Sequence, residues 1–147
     1  MKKITFTLFI ATAFIVQMTA QDNKEKSAVE NKNAPVITFE KTVHDFGSIP
    51  KGGNGECEFV FKNTGKEPLT LTSVRASCGC TTPYWTQEPI TKGKTGFVRV
   101  KYDTNRIGAF SKTITVTSNS STNSTIVLTI KGVVEDVASV PAAPQNQ

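Results

Sequence analysis

The sequence has 147 residues, of which 17 are Lys or Arg and 12 are Asp or Glu, and its formal net charge is +5. This length suits a single domain with one core. Acidic residues are interleaved with the basic ones, and no basic stripe with aromatic residues between the charges is present, which excludes the usual footprint of nucleic-acid binding.

The first residues predict export. Lys2 and Lys3 precede an uncharged, mostly apolar run over residues 4–18, which is the pattern of a signal peptide. The run is shorter than the roughly 20 apolar residues that a membrane-spanning helix needs. We expect cleavage after Ala20 and a periplasmic or secreted protein. Because the first cysteine is Cys57, a lipid anchor attached directly after the cleavage site is excluded.

The chain after residue 20 divides into three parts. Residues 21–34 are mostly polar and predict a linker, whereas residues 137–147 predict a short disordered tail. Between them, residues 35–136 contain short alternating segments separated by Gly, Asn and Pro, without a sustained helical period. This central part is therefore predicted to be one all-β domain.

About seven strands are predicted in that domain. Apolar and polar side chains alternate along each, as where Phe59 and Phe61 share a face. The alternation changes phase near Thr72 and Ser73, which predicts a β-bulge there. The predicted strands cover residues 36–40, 56–62, 69–76, 81–85, 97–103, 109–118 and 124–134.

This strand pattern is typical of an immunoglobulin-like sandwich of two antiparallel sheets, and a small closed barrel is the alternative. The stretch around His44 is predicted to be a turn, with Phe46 entering the core and Gly47 starting the turn. The residues predicted to share one core are Ile37, Phe59, Phe61, Leu71, Val100, Ile114, Val116, Leu128 and Ile130.

The sequence contains no complete catalytic set. His44 is the only histidine, and no G-x-S-x-G turn presents a nucleophile to it. Asp45, Phe46 and Gly47 spell the magnesium triplet of kinases, but the other kinase motifs are missing. We therefore expect no enzymatic activity, no catalytic residue and no bound cofactor or metal.

The turn formed by Cys78, Gly79 and Cys80 is the most distinctive feature of the sequence. A disulfide needs Cα atoms about 4.4 to 6.8 Å apart, and the central glycine permits the bend that brings residues two positions apart into that range. Such a small ring would be easily reduced. Three interpretations stay open: a structural disulfide, a pair of reduced buried thiols, and a redox or soft-metal site. A metal site is the weakest of these interpretations in its ligands, because two or three thiolates and at most one histidine fall short of the four ligands that structural zinc prefers.

Cys57 is predicted to face the core beneath this turn. Counting outward from a chain reversal near residues 65–68 places Cys57 opposite Ala76, so that all three cysteines lie at the same end of the sandwich. An odd number of cysteines leaves one thiol unpaired in a monomer. Cys57 therefore either stays a buried thiol or bonds to one of the two loop cysteines.

Three segments, in this order, carry a resemblance to a known family: HDFGSIPKG at residues 44–52, FKNTGKEPLTLTSVRASCGCT at residues 61–81 and YDTNRIGAFSKTITVTSNS at residues 102–120. Together they resemble the bacterial secreted domain-of-unknown-function family DUF1573, whose fold is similar to the Hydin-type and major-sperm-protein-like sandwiches. The resemblance implies export and an immunoglobulin-like fold, without an assigned activity. It also implies a Cys78–Cys80 disulfide with Cys57 reduced, because the family pattern contains the loop pair without the strand cysteine.

Tyr84 and Trp85 follow the cysteine turn and are candidates for a contact surface, because aromatic residues are enriched at interfaces. A core or loop-lid role is the alternative. The leading hypothesis for function is a non-enzymatic binding or scaffold module with an unknown protein or glycan of the cell envelope as its partner. The second hypothesis is a thiol-redox or soft-metal-handling protein centred on Cys78 and Cys80. A third is a chaperone-like sandwich that donates or accepts an edge strand.

Overall fold

The computed structural model describes residues 31–136. Within them the chain forms eight strands and no helix, and hence no helix long and apolar enough to cross a membrane. The predicted signal peptide, residues 21–30 of the predicted linker and the predicted tail lie outside the described residues.

The eight strands form an immunoglobulin-like sandwich of two four-stranded sheets. In chain order they are β1 (Ile37–Phe39), β2 (Val43–Pro50), β3 (Glu56–Asn63), β4 (Leu71–Ala76), β5 (Thr81–Trp85), β6 (Thr95–Tyr102), β7 (Gly108–Ser118) and β8 (Thr125–Glu135). One sheet has the order β1-β3-β6-β5 and the other has the order β2-β8-β7-β4. Neighbouring strands are antiparallel except β2 and β8, which are parallel. The predicted fold class is confirmed.

Seven of the eight strands lie within two residues of their predicted bounds. The predicted bulge is present, since the pairing of β4 with β7 shifts register between Leu71 and Ser73. All nine residues predicted for the core are buried in one cluster to which both sheets contribute. The alternating pattern locates these strands because burial of one sheet face imposes a period of two residues on the sequence.

Strand β2 corrects the prediction of a turn around His44. The segment pairs with β8 at the edge of its sheet, and Ile49 is the one buried residue of the strand. Phe46 packs partly buried against the core, as predicted. Gly47, with φ +62°, lies at a register shift within the strand and does not start a turn. An edge strand with two exposed faces lacks the alternation of apolar residues by which the other strands were predicted.

The predicted position of Cys57 opposite Ala76 is wrong. Cys57 pairs with Val100 of β6, whereas Ala76 pairs with Ile114 of β7 in the other sheet. The segment between β3 and β4 passes from one sheet to the other, and Leu69 within it bridges to Ile90. Counting outward from a turn assumes that the two strands form a hairpin. Here β3 and β4 lie in different sheets and do not pair with each other.

The segment of residues 31–34, which was predicted to belong to the linker, forms a turn that contacts the connection between β3 and β4. The carbonyl oxygen of Asn33 accepts hydrogen bonds from the backbone N–H groups of Lys66 (3.2 Å) and Glu67 (2.8 Å). Gly65 lies so close to this turn that a Cβ atom there would overlap the carbonyl oxygen of Ala34. The glycine of the N-T-G string is therefore required by close backbone approach.

Candidate functional site

The cysteine turn connects β4 to β5 and contains a disulfide. Cys78 and Cys80 are bonded with their Cα atoms 5.3 Å apart, inside the usual range for a disulfide. The turn is closed by the backbone N–H of Thr81, which donates to the carbonyl oxygen of Cys78 over 3.4 Å. The disulfide pairing implied by the family resemblance, with Cys57 as the free cysteine, is confirmed.

Thr81 places its hydroxyl group beside the disulfide bond, in contact with both sulfur atoms. Its Oγ1 lies 3.7 Å from Sγ of Cys78 and 3.9 Å from Sγ of Cys80. Because a disulfide sulfur carries no hydrogen, the hydroxyl is the donor in both contacts. Sequence reasoning missed this residue, although its position directly after Cys80 was a signal that it could reach the sulfurs.

The end of β6 holds the cysteine turn in place. The carbonyl oxygen of Cys80 accepts a hydrogen bond of 2.9 Å from the backbone N–H of Asp103, and Thr81 pairs with Tyr102. Cys80 and Thr81 are buried, whereas Cys78 is half-buried. The two sulfurs of the disulfide therefore differ in their access to solvent.

Cys57 lies at the same end of the sandwich, as predicted. It faces the core from β3 and pairs with Val100, two residues along β6 from Tyr102, the partner of Thr81. Burial raises the pKa of its thiol to about 11, against a smaller lowering effect of the Lys41 charge. At neutral pH Cys57 is therefore a thiol and not a thiolate nucleophile.

The raised pKa of Cys57 predicts a loss of stability in alkaline solution. A thiol whose pKa is about 11 in the folded protein, against 9.0 as its ordinary value, binds its proton more tightly when folded. Its contribution to the free energy of unfolding is complete below the ordinary pKa and is lost as the pH rises through the folded pKa. Urea denaturation at several pH values, compared with Cys57→Ala, measures this contribution. We expect the variant to lose less stability between those two pKa values, and parallel profiles would contradict the assignment.

His44 is not brought to the cysteines. It lies on β2, in the sheet opposite β5, where its Nδ1 is 3.2 Å from Nζ of Lys41 and its ring packs edge-on against Phe46 at 4.4 Å between centroids. The pKa of the imidazole is lowered, mainly because burial desolvates the ring and to a smaller extent because of the charge of Lys41. Among residues 31–136 no group of three or more His, Cys, Asp and Glu side chains is arranged to hold a metal ion.

The two aromatic residues of β5 point to opposite faces of the sheet. Tyr84 is 62% exposed on the outer face, whereas Trp85 packs against the core. The buried Nε1 of Trp85 has no hydrogen-bond partner within the described part of the chain. Tyr84 therefore remains a candidate for a contact surface, whereas Trp85 takes the core role that was the alternative.

The outer face of β3, β6 and β5 forms rows of side chains across the strands. Tyr84 aligns with Arg99 and Glu58, and Arg99 bonds to Glu58 over 2.8 Å. Phe97 lies beside this row, 6.0 Å from Tyr84 between ring centroids, with the guanidinium of Arg99 5.1 Å from its own centroid. A shallow cavity of about 390 Å³ is lined by Glu56, Thr82, Tyr84, Arg99 and Lys101. We name this surface, defined by those five residues with Glu58 and Phe97, the Tyr84 face.

Comparison with known families identifies the domain. The model of a family described as a protein of unknown function (DUF1573) matches residues 37–134, from the start of β1 to one residue before the end of β8. The chain belongs to the DUF1573 family. A comparison with curated proteins found no match.

Solved structures share the fold of this DUF1573 domain. A protein of unknown function from Porphyromonas gingivalis W83 has 18% sequence identity and a TM-score of 0.63, over 70% of this chain and 48% of that one. The present chain therefore spans about half the length of that protein. The PapD-like domain 7 of human CEP192 has 8% identity and a TM-score of 0.59, over 71% of this chain and 89% of that one. The VesB protease of Vibrio cholerae has 16% identity and a TM-score of 0.55, over 67% of this chain and 32% of that one.

Proposed function

We propose that this DUF1573 protein is an exported, non-enzymatic binding module that contacts a protein of the cell envelope through its Tyr84 face. The signal-peptide pattern of residues 1–20 supports export. The observation that carries the binding proposal is the 62% exposure of Tyr84 beside the ion pairs of Arg99 with Glu58 and of Lys101 with Glu56.

Tyrosine and arginine are the residue types that contribute most to binding energy at protein interfaces, together with tryptophan. Tyr84 and Arg99 are cross-strand neighbours, and Phe97 beside them extends the flat contact area. The side chain of Arg99 is held both by its ion pair with Glu58 and by the ring of Phe97. A group that is ordered before binding loses less conformational entropy when a partner covers it.

The charges of the Tyr84 face favour a protein over a charged polysaccharide. Arg99 pairs with Glu58, and Lys101 pairs with Glu56 over 3.4 Å. These four side chains carry no net charge together, so the surface does not attract a polyanion. It suits a partner that is recognised by aromatic contact area with polar groups at the rim.

The free edge of β5 is less suited to binding than its face. The backbone N–H of Thr86 donates to the carbonyl oxygen of Phe97, and that of Asp103 donates to Cys80, so the even-numbered residues of this segment bond to β6. In an antiparallel pair the alternate residues, Pro83 among them, direct their backbone groups to the free edge. Proline has no N–H to offer there, and proline on an edge strand hinders the addition of another strand. This argues against the chaperone-like hypothesis for β5.

Photocrosslinking in the cell envelope of the native host tests the proposal. With p-benzoylphenylalanine in place of Tyr84, we expect a crosslinked product of discrete mass with one protein, whose identity is read by mass spectrometry. The purified partner should then bind Tyr84→Ala at least about 30-fold more weakly than the unaltered chain, the loss typical of a residue central to an interface. Binding is measured by calorimetry.

The matched control places the same photocrosslinker at Thr115, which is exposed on β7 in the other sheet. Equal crosslinking from both positions would show non-specific contact and contradict the proposal. Retention of the chain on purified envelope polysaccharide, abolished by Tyr84→Ala without any protein crosslink, would identify a glycan partner and overturn the choice of a protein.

A thiol-redox function is the second candidate, and a different observation favours it. The hydroxyl of Thr81 contacts both disulfide sulfurs from one side, where it is placed to act on the chemistry of that bond.

A further inference from the structure

The two sulfurs of the Cys78–Cys80 disulfide differ in how accessible they are to solvent. Cys80 is 9% exposed and its carbonyl oxygen is fixed to β6, whereas Cys78 is half-buried and precedes the bend of the turn. Thiol–disulfide exchange begins when a thiolate attacks one sulfur, and access helps to decide which sulfur is attacked. The arrangement exposes Cys78 to attack and leaves Cys80 as the leaving group.

The hydroxyl of Thr81 is positioned to stabilise that leaving group. Thr81 is buried, and among residues 31–136 its hydroxyl has no hydrogen-bond partner other than the two sulfurs. The contacts of 3.7 and 3.9 Å are long for a neutral disulfide. When the S–S bond opens, a thiolate becomes a charged acceptor, and hydrogen bonds to charged groups are the stronger ones.

We propose that the Cys78–Cys80 disulfide is a site of thiol–disulfide exchange with an external dithiol, in which Cys78 is the attacked sulfur and Thr81 stabilises the Cys80 thiolate. This exchange rests on the thiol-redox function given above as the second candidate, and it does not depend on the Tyr84 face.

The exchange balances in two steps. A thiolate of the dithiol attacks Sγ of Cys78, the S–S bond breaks, and its electron pair remains on Sγ of Cys80. The second thiol of the donor then loses its proton and attacks the donor sulfur of the mixed disulfide, which releases Cys78 as a thiolate. The donor is oxidised to a disulfide, the protein gains two electrons, and the two protons of the dithiol pass through water to the two cysteines.

Cys57 takes no part in this exchange. It is buried on β3, and burial raises its pKa to about 11, so it carries no thiolate at neutral pH. Its thiol supplies an internal reference for the experiment, because it should react with alkylating reagents only when the chain unfolds.

Reduction of the full chain by dithiothreitol under native conditions tests the proposal. Aliquots are quenched with excess N-ethylmaleimide in native buffer, and mass spectrometry follows the appearance of Cys78 and Cys80 thiols over time. We expect complete reduction while Cys57 stays protected. Thr81→Val should slow reduction about ten-fold, because one hydrogen bond to a charged group is lost. Thr81→Ser keeps the hydroxyl and should restore the rate. The control Thr115→Val makes the same change at an exposed site and should leave the rate unaltered.

Single-cysteine variants test which sulfur reacts. In Cys80→Ser we expect oxidised glutathione to add to Cys78 at least about ten-fold faster than it adds to Cys80 in Cys78→Ser, because accessible thiols exchange faster. The opposite order would overturn the assignment of Cys78. A disulfide that opens in the unaltered chain only in denaturant would overturn exchange as a whole. A Thr81→Val rate equal to that of the unaltered chain would remove Thr81 from the mechanism.

Discussion

Phe59→Ala is expected to lower the free energy of unfolding by about 3 to 5 kcal/mol. Phe59 lies on β3, is 0% exposed, and is among the largest side chains buried between the two sheets. Truncation removes its buried apolar surface and leaves a cavity that the two sheets can close only in part. Urea denaturation followed by circular dichroism measures the loss.

Phe97→Ala is the matched control for this prediction. Phe97 lies on the neighbouring strand β6, but its ring is on the outer face of the same sheet, close to Tyr84. The same truncation should therefore cost clearly less at Phe97 than at Phe59. Equal losses at the two positions, or a loss below about 1 kcal/mol at Phe59, well under the range for a buried aromatic residue, would show that the inner face of β3 is wrongly assigned.

Asn63→Ala is expected to destabilise the fold by about 3 to 5 kcal/mol, because it removes four hydrogen bonds of a fully buried side chain, and the buried N–H of Gly65 loses its partner. The fully buried side chain donates from Nδ2 to the carbonyl oxygens of Glu67 and Ile90, both at 2.8 Å. Its Oδ1 accepts from the backbone N–H groups of Gly65 at 2.9 Å and Val36 at 3.4 Å. One side chain thus joins the end of β3 to three separate segments, and the unfolding midpoint in urea reports its removal.

Two further variants separate this network from a general effect of the substitution. Asn105→Ala makes the same change at an exposed loop residue and should alter stability by less than about 0.5 kcal/mol. Asn63→Asp keeps the acceptor oxygen but loses both donors, so it should be destabilising as well. A stable Asn63→Asp variant would contradict the hydrogen bonds to Glu67 and Ile90.

The Asn63 network also explains part of the N-T-G-K-E-P-L string that contributed to the family resemblance. Asn63 and Gly65 are needed where the chain leaves β3, the first for its four hydrogen bonds and the second for the close approach of Ala34. The sequence marked this stretch as a turn. The local sequence held no signal that this turn joins two sheets. Two of the hydrogen-bond partners of Asn63, Val36 and Ile90, are each 27 residues away, one before it and one after it.

The disulfide of the candidate site could be predicted from the sequence, but the residues that surround it could not. Close spacing around a glycine made the Cys78–Cys80 bond geometrically feasible, and the family resemblance supported it. The position of Cys57 opposite Val100 and the contact of Thr81 with both sulfurs depend on which strands become neighbours. That choice is made by packing between distant segments.

The sequence by itself determined the all-β class, seven of the strands, the bulge near Ser73 and nine residues of the core. These features follow from a period of two residues, which burial of one sheet face imposes locally on each strand. Only the tertiary structure decided that residues 43–50 form the edge strand β2 and that β3 and β4 lie in different sheets. It also decided that Tyr84 faces outward while Trp85 packs inward. An exposed edge has little apolar alternation, and the order of strands in a sheet is set by long-range pairing that no local pattern encodes.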